Sequence, residues 1–222
     1  MGRDLERSVQ IPAAGVILDG DLVIPGAASG VVVFAHGSGS SRHSPRNRSV
    51  AASLQADGYA TLLMDLLTQE EELVDGRTRQ FRFDIRRLAS RLADAVRWLS
   101  ERPETAGLPL ALFGASTGAA AALQAAAEVP DRIQLVISRG GRPDLAGHAL
   151  EQVRTPTLLI VGGRDVEVLA LNRAAAARLA GPAEIVVVPG ATHLFEERGA
   201  MDRVVELARD ALNRHMAASS TQ

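Results

Sequence analysis

The sequence predicts a three-layer α/β domain with a mostly parallel central sheet. Three observations carry that expectation. Short apolar runs rich in Val, Ile and Leu alternate with longer segments of helical period. The runs are apolar nearly throughout instead of alternating with polar residues, as strands covered on both faces are. Finally, 222 residues, 46% of them hydrophobic, can bury one substantial core but not two full ones, so a single domain over residues 1–222 is expected.

Taken in order, residues 15–18 and 22–24 flank Asp19-Gly20, a two-residue turn signal, and an antiparallel hairpin should open the sheet. Buried strands are then expected at residues 31–35, 60–64, 110–113, 133–137, 157–161 and 184–188. Helices should cover residues 47–56, 84–101, 116–128, 166–179 and 201–216. The clearest is 84–101, where Ile85, Leu88, Leu92, Val96 and Leu99 recur at steps of three and four before Pro103 closes the pattern. Residues 68–82 (TQEEELVDGRTRQFR) are polar, charged and aperiodic, and read as a solvated surface loop, with a lid or pocket wall as the alternative.

Composition narrows the chemistry. All 24 basic residues are Arg, and the chain has neither Lys nor Cys. Schiff bases, a P-loop lysine, a Ser-Lys dyad, thiol nucleophiles, disulfides and thiolate metal sites are thereby excluded, which leaves an oxygen or an imidazole as the nucleophile. A net charge of −2 supplies no cationic field for nucleic acid or an anionic membrane. The N-terminal MGRDLERSVQIP carries charges where a secretory signal needs an apolar core, and no run of about 18 apolar residues occurs, so a cytoplasmic protein is expected. The absence of Lys reads as a compositional bias.

After the run 110–113 comes Gly114-Ala115-Ser116-Thr117-Gly118 and then an Ala-rich helix, which is G-x-S-x-G in a strand-turn-helix setting. Small flanking residues let a serine sit on a sharp, strained turn above the sheet. The helix behind it directs unpaired N–H groups at a developing oxyanion. A serine hydroxyl needs a positioned base and a third group to orient that base. Of the five His, His193 follows the last expected strand in PGATHLF, while Asp165 follows the run 157–161 through Gly162-Gly163-Arg164. Ser116, Asp165 and His193 thus fall at three strand ends, in the chain order of an α/β nucleophile elbow. Asp144 is the rival acid. The oxyanion hole is expected from the N–H of Thr117 and that of Ser38 in the glycine-rich turn His36-Gly37-Ser38-Gly39. A phosphate cradle fits that turn poorly, because no Gly-Lys-Ser/Thr follows it and position 42 is Arg.

The segments HGSGSSRHSPRN, GASTGAAAAL, VGGRD and PGATHLFEE resemble the α/β-hydrolase superfamily, and most closely its compact, lidless dienelactone hydrolase-like branch. The resemblance spans residues 31–215. It implies an α/β-hydrolase fold without a large cap domain and a small serine hydrolase with Ser116, Asp165 and His193 as triad. It also implies cleavage of small-molecule carboxylic esters or lactones with no cofactor and no metal. The dienelactone hydrolases proper use a cysteine nucleophile, so Ser116 favours carboxylesterase activity. The same serine argues against the haloalkane dehalogenases, which place an aspartate there.

Arg42, Arg46, Arg48, Arg139 and Arg142 fall in two loops at strand ends bordering the expected pocket, where reception of a substrate carboxylate by one of them is the sharper reading and pairing with acids such as those at residues 70–72 the plainer expectation. Seven aromatic residues leave little for sugar stacking, and Phe195 is a candidate pocket wall. A thioesterase or acyltransferase with the same triad, and a ligand sensor on the same fold, are the alternatives. Partners are expected to be neither nucleic acid nor membrane, and nothing in the sequence speaks to oligomeric state.

Overall fold

Alternate residues of each central strand belong to different cores. In β3 (Val31–Ala35), Val31, Val33 and Ala35 join one apolar cluster while Val32 and Phe34 join another on the opposite face. The sheet must therefore be covered twice, which is why its strands read as continuous apolar runs. The computed structural model describes residues 5–216. The ends of the expected domain, residues 1–4 and 217–222, lie outside the described residues. The remaining strands are β1 (Leu5–Ala13), β2 (Val16–Ile24), β4 (Ala60–Met64), β5 (Leu110–Ala115), β6 (Ile133–Arg139), β7 (Thr157–Gly162) and β8 (Ala183–Val188). They form one eight-stranded sheet in the order β1-β2-β4-β3-β5-β6-β7-β8, parallel from β4 to β8 and antiparallel at β1 and β2.

Helices α1 (Pro45–Ala56) and α6 (Ala200–Met216) cover one face. Helices α3 (Ile85–Ser100), α4 (Thr117–Glu128) and α5 (Val166–Ala176) cover the other, together with a 3-10 segment over Pro143–Gln152. On α3, Leu88, Leu92, Val96 and Leu99 are all buried, as their spacing requires. Asp84 caps its N-terminus by accepting the Arg87 N–H, and Ser44 does the same for α1 before Pro45.

Two expectations are corrected. The hairpin turns at Ala14-Gly15, with φ of 47° and 80°, and not at Asp19-Gly20. Both residues are left-handed, the requirement of a two-residue type I′ turn, and the Ala14 N–H is further held by Asp94 of α3 at 2.8 Å. Gly20 instead lies inside β2 opposite Met64, where a Cβ would press within 3.0 Å of the Ile11 and Leu62 side chains. Its glycine meets a packing need and not a turn.

Residues 68–82 are not a loop: they contain the helix α2 (Gln69–Thr78). The helix has no apolar face, burying only Asp75, and so shows no hydrophobic period. It is held by a capping box, in which Thr68 accepts the Glu71 N–H and Glu71 accepts the Thr68 N–H, and by ion pairs. Glu71 receives Arg91 and Arg87 of α3, while the buried Asp75 accepts the Phe81 and Arg82 N–H groups and pairs with the Arg82 guanidinium. The signal in the sequence was Thr68-x-x-Glu71. Among the described residues no helix is long and apolar enough to cross a membrane.

Candidate active site

Ser116 stands between β5 and α4 with φ 51° and ψ −122°, a backbone conformation that L-residues rarely adopt and that costs about 1–3 kcal/mol. The surroundings over-determine it. The Ser116 N–H donates to the Arg139 carbonyl at the end of β6, and its carbonyl accepts the N–H groups of Ala119 and Arg142. The flanking glycines are required by close approach: a Cβ at Gly114 would strike the Ala119 backbone, and one at Gly118 would strike the carbonyl oxygens of Ala35 and His36. The G-x-S-x-G pattern is thus a packing solution that brings α4 down onto β3 while lifting Ser116 above it.

Asp165 occupies the N-cap position of α5, yet its carboxylate makes no cap hydrogen bond. It bonds His193 Nδ1 instead, at 2.7 Å. The pairing depends on two loops running alongside each other, with the Arg164 N–H donating to the Ala191 carbonyl and the Gly163 N–H to that of Val188. Downstream, Glu197 accepts the Thr192 N–H; the hydrogen bonds from Thr192 hold its carboxyl below the usual range. Asp144, the rival acid, is taken up by the Arg142 guanidinium in a two-point contact at 2.9 and 2.7 Å.

The expected residues Ser38, Ser116 and His193 all border one cavity of about 290 Å³, at the small end of ligand pockets. Ser116 Oγ and His193 are not hydrogen-bonded to each other here, a contact that often tightens only with substrate in place. Ser38 differs from expectation in one respect: its N–H is already donated, at 2.8 Å, to Thr117 Oγ1. Phe195 is buried beneath the loop and is not part of the cavity wall; its neighbour Leu194 is.

His36 braces the glycine-rich turn. Its Nδ1 is 2.9 Å from the Gly37 carbonyl and its Nε2 accepts the Leu66 N–H at 3.0 Å, so the proton sits on Nδ1 and the ring is neutral. Burial pushes its pKa below 6.5, against the opposing pull of the Gly37 carbonyl and Asp65. Its place directly after a buried strand was the one cue to this role.

The arginine expectations divide. Arg42 pairs with Asp65, Arg142 with Asp144 and Arg46 with the exposed Glu196. Glu71 is not the partner of any of them, since α2 places it against α3. Arg139, 6% exposed, reaches the Asn47 side-chain oxygen at 3.3 Å and has no carboxylate partner among the described residues.

The dienelactone hydrolase family matches residues 18–218. This chain belongs to that family. A crystal structure of a dienelactone hydrolase from Anabaena variabilis superposes with a TM-score of 0.93 at 55% identity, covering 96% of this chain and 98% of that one. Est1E from Butyrivibrio proteoclasticus, at 16% identity and a TM-score of 0.77, covering 95% of this chain and 99% of its own, shares the α/β-hydrolase fold. A protein of Mycobacterium tuberculosis that bears the provisional name phosphoribosyl transferase is 56% identical over 211 residues. That match takes in 95% of this chain but 47% of the relative, so the chain spans about half the length of the curated relatives it matches.

Proposed function

We propose that this chain is a serine hydrolase of small carboxylic esters or lactones, working through an acyl-enzyme without metal or cofactor. The observation that carries the reading is the Asp165–His193 pair at 2.7 Å opening onto the same cavity as a serine held in a strained elbow. In this reading Ser116 Oγ attacks the acyl carbon and passes its proton to His193 Nε2. Asp165 accepts the Nδ1–H, fixing the tautomer and stabilising the imidazolium. The oxyanion is received by the Thr117 N–H at the start of α4 and by the Ser38 N–H once the latter leaves Thr117 Oγ1. His193 protonates the departing alkoxide, then takes a proton from the water that releases the acid.

The name borne by the mycobacterial relative belongs to a chain about twice as long and is not carried over. The test is a screen of esters, lactones and thioesters of graded size with Ser116→Ala as the blank. Turnover of the best substrate should fall by about 10⁴-fold or more with an unchanged melting temperature. Near-native turnover in the folded variant removes Ser116 from the mechanism.

A further inference from the structure

An asparagine inside a helix is a poor helix former, and burying its amide is costly unless the amide is hydrogen-bonded. Asn172, in the second turn of α5, is nevertheless fully buried. Its Nδ2 donates to the Val168 carbonyl one turn back at 2.7 Å and to the Gly141 carbonyl, outside the helix, at 3.0 Å; its Oδ1 has no hydrogen-bond partner. The Val168 carbonyl already belongs to the helical ladder, so the group that gains a donor is that of Gly141. Gly141 lies in the segment 139–142 at the end of β6, and this segment meets all three strand ends of the site. It clamps the elbow, with the Ser116 N–H donating to the Arg139 carbonyl at 3.3 Å and the Arg142 N–H donating to the Ser116 carbonyl at 3.0 Å. It abuts the loop of the base: Gly140 has φ 52°, and a Cβ there would come within 3.0 Å of the His193 carbonyl oxygen. Asn172 supplies the third connection, because α5 begins directly after Asp165. The segment has no slack, since a Cβ at Gly141 would strike the Ser138 hydroxyl and the Ala119 methyl group.

We propose that Asn172 is a positioning residue for Ser116: its amide holds the segment 139–142 against α5 and thereby fixes the elbow relative to the Asp165–His193 pair. A backbone as strained as that of Ser116 persists only while its surroundings hold it, and this segment supplies a partner to both its N–H and its carbonyl. Without the Asn172 amide the Gly141 carbonyl is left buried and unpaired, and the segment relaxes away from α5, carrying the Ser116 backbone with it. A displacement of about 1 Å at a reacting atom costs on the order of 10²-fold in rate. Asn172 does not line the cavity, so the loss falls on the chemical step and not on substrate binding. This inference rests on Ser116 as nucleophile.

The test compares the native protein with Asn172→Leu and Asn172→Ser, and uses Leu99→Ala, a buried truncation in the last turn of α3, as the control for general loosening. Leucine keeps the volume and removes the amide, while serine can return a hydrogen bond to the Val168 carbonyl but is too short to reach Gly141. Each protein is labelled with a fluorophosphonate, the labelled residue is located by peptide mass spectrometry, and kcat and KM are measured on the best ester of the screen. Both Asn172 variants should label Ser116 at least about tenfold more slowly and show a lower kcat, with KM within about twofold of native. Leu99→Ala should melt at a lower temperature yet label within about twofold of the native rate. Labelling of a folded Asn172 variant within twofold of native overturns the proposal, as does a change confined to KM or an equal slowing in Leu99→Ala. If Asn172→Leu does not fold, Asn172→Ser carries the same decision. Absence of labelling at Ser116 in the native protein removes the nucleophile assignment and this proposal with it, whereas labelling at Ser116 at equal rates in all the proteins removes the proposal alone.

Discussion

At the scale of single residues, the site is a set of polar groups withheld from their usual local partners. Asp165 stands where a helix cap would stand and spends its carboxylate on His193. Thr117, directly after the elbow serine, has a hydroxyl that occupies the Ser38 N–H. In the proposed mechanism that hydroxyl competes with an oxyanion for one donor, and the loop carrying Ser38 is independently braced by His36. Thr117→Ala, which keeps the N–H and removes the hydroxyl, is therefore expected to raise kcat/KM on a small ester by up to about fivefold, the equivalent of one ordinary hydrogen bond of about 1 kcal/mol. A fall of similar size would make the hydroxyl a working part of the oxyanion loop. The three strand-end residues were legible because G-x-S-x-G, a late His and an intervening Asp each follow an apolar run. The engagement of Ser38 was not, because it depends on residues 79 positions apart meeting across β3 and β5.

At the scale of elements, α2 shows how a helix can exist with no periodic signal. Its stability comes from charged caps: Glu71 serves the capping box and two arginines at once, and Arg91 beneath it has a side chain only 3% exposed. Removing Glu71 strands a buried guanidinium, so Glu71→Ala should cost about 3–5 kcal/mol and be visible as a large drop in urea midpoint, whereas Glu70→Ala on the exposed side should change little. Equal effects from the two variants would mean the ion pair is solvated and weak. The central strands and remaining helices were legible from the apolar residues they turn to the cores, whereas β8, expected as a buried strand, is the edge of the sheet with only Val188 buried, because no further strand covers it. The hairpin misplacement has a related origin. Asp19-Gly20 has turn chemistry, but nine residues of β1 pair with nine of β2 about Ala14-Gly15, and the longer ladder outweighs the local preference.

At the scale of the whole molecule, acid should loosen the fold in two stages. His36 is neutral in the native state with its pKa pushed below 6.5 by burial, so between that value and the native one the unfolded chain binds the proton first. Its contribution is complete above pH 6.5 and shrinks as pH falls below it. Glu71 and Asp75 act lower. Burial works to raise both, but the hydrogen bond from Arg91 on Glu71, and the Arg82 and Phe81 N–H groups with the Arg82 guanidinium on Asp75, hold them below 4.5 and 3.8 respectively. Their contribution is present above those values and is lost as pH falls through the native ones. Urea midpoints should thus be level above pH 7, decline from about pH 6.5 and fall again below about pH 4.5. His36→Gln should remove the first decline and leave the second; a first decline that survives in that variant would place its origin in another group.

The sequence by itself determined the layers and the strand ends and excluded lysine and thiol chemistry, because these follow from composition and local patterns: apolar runs, helical period, small residues around Ser116 and the absence of Lys and Cys. The tertiary structure decided which charges meet. Arg42, Arg142 and Arg139 look alike along the chain, yet the first two find carboxylates while the third is buried at the cavity wall without one. An ion pair is a matter of ångströms between side chains on separate elements, and its worth depends on how much water the fold leaves around them. Neither quantity is written in residue order.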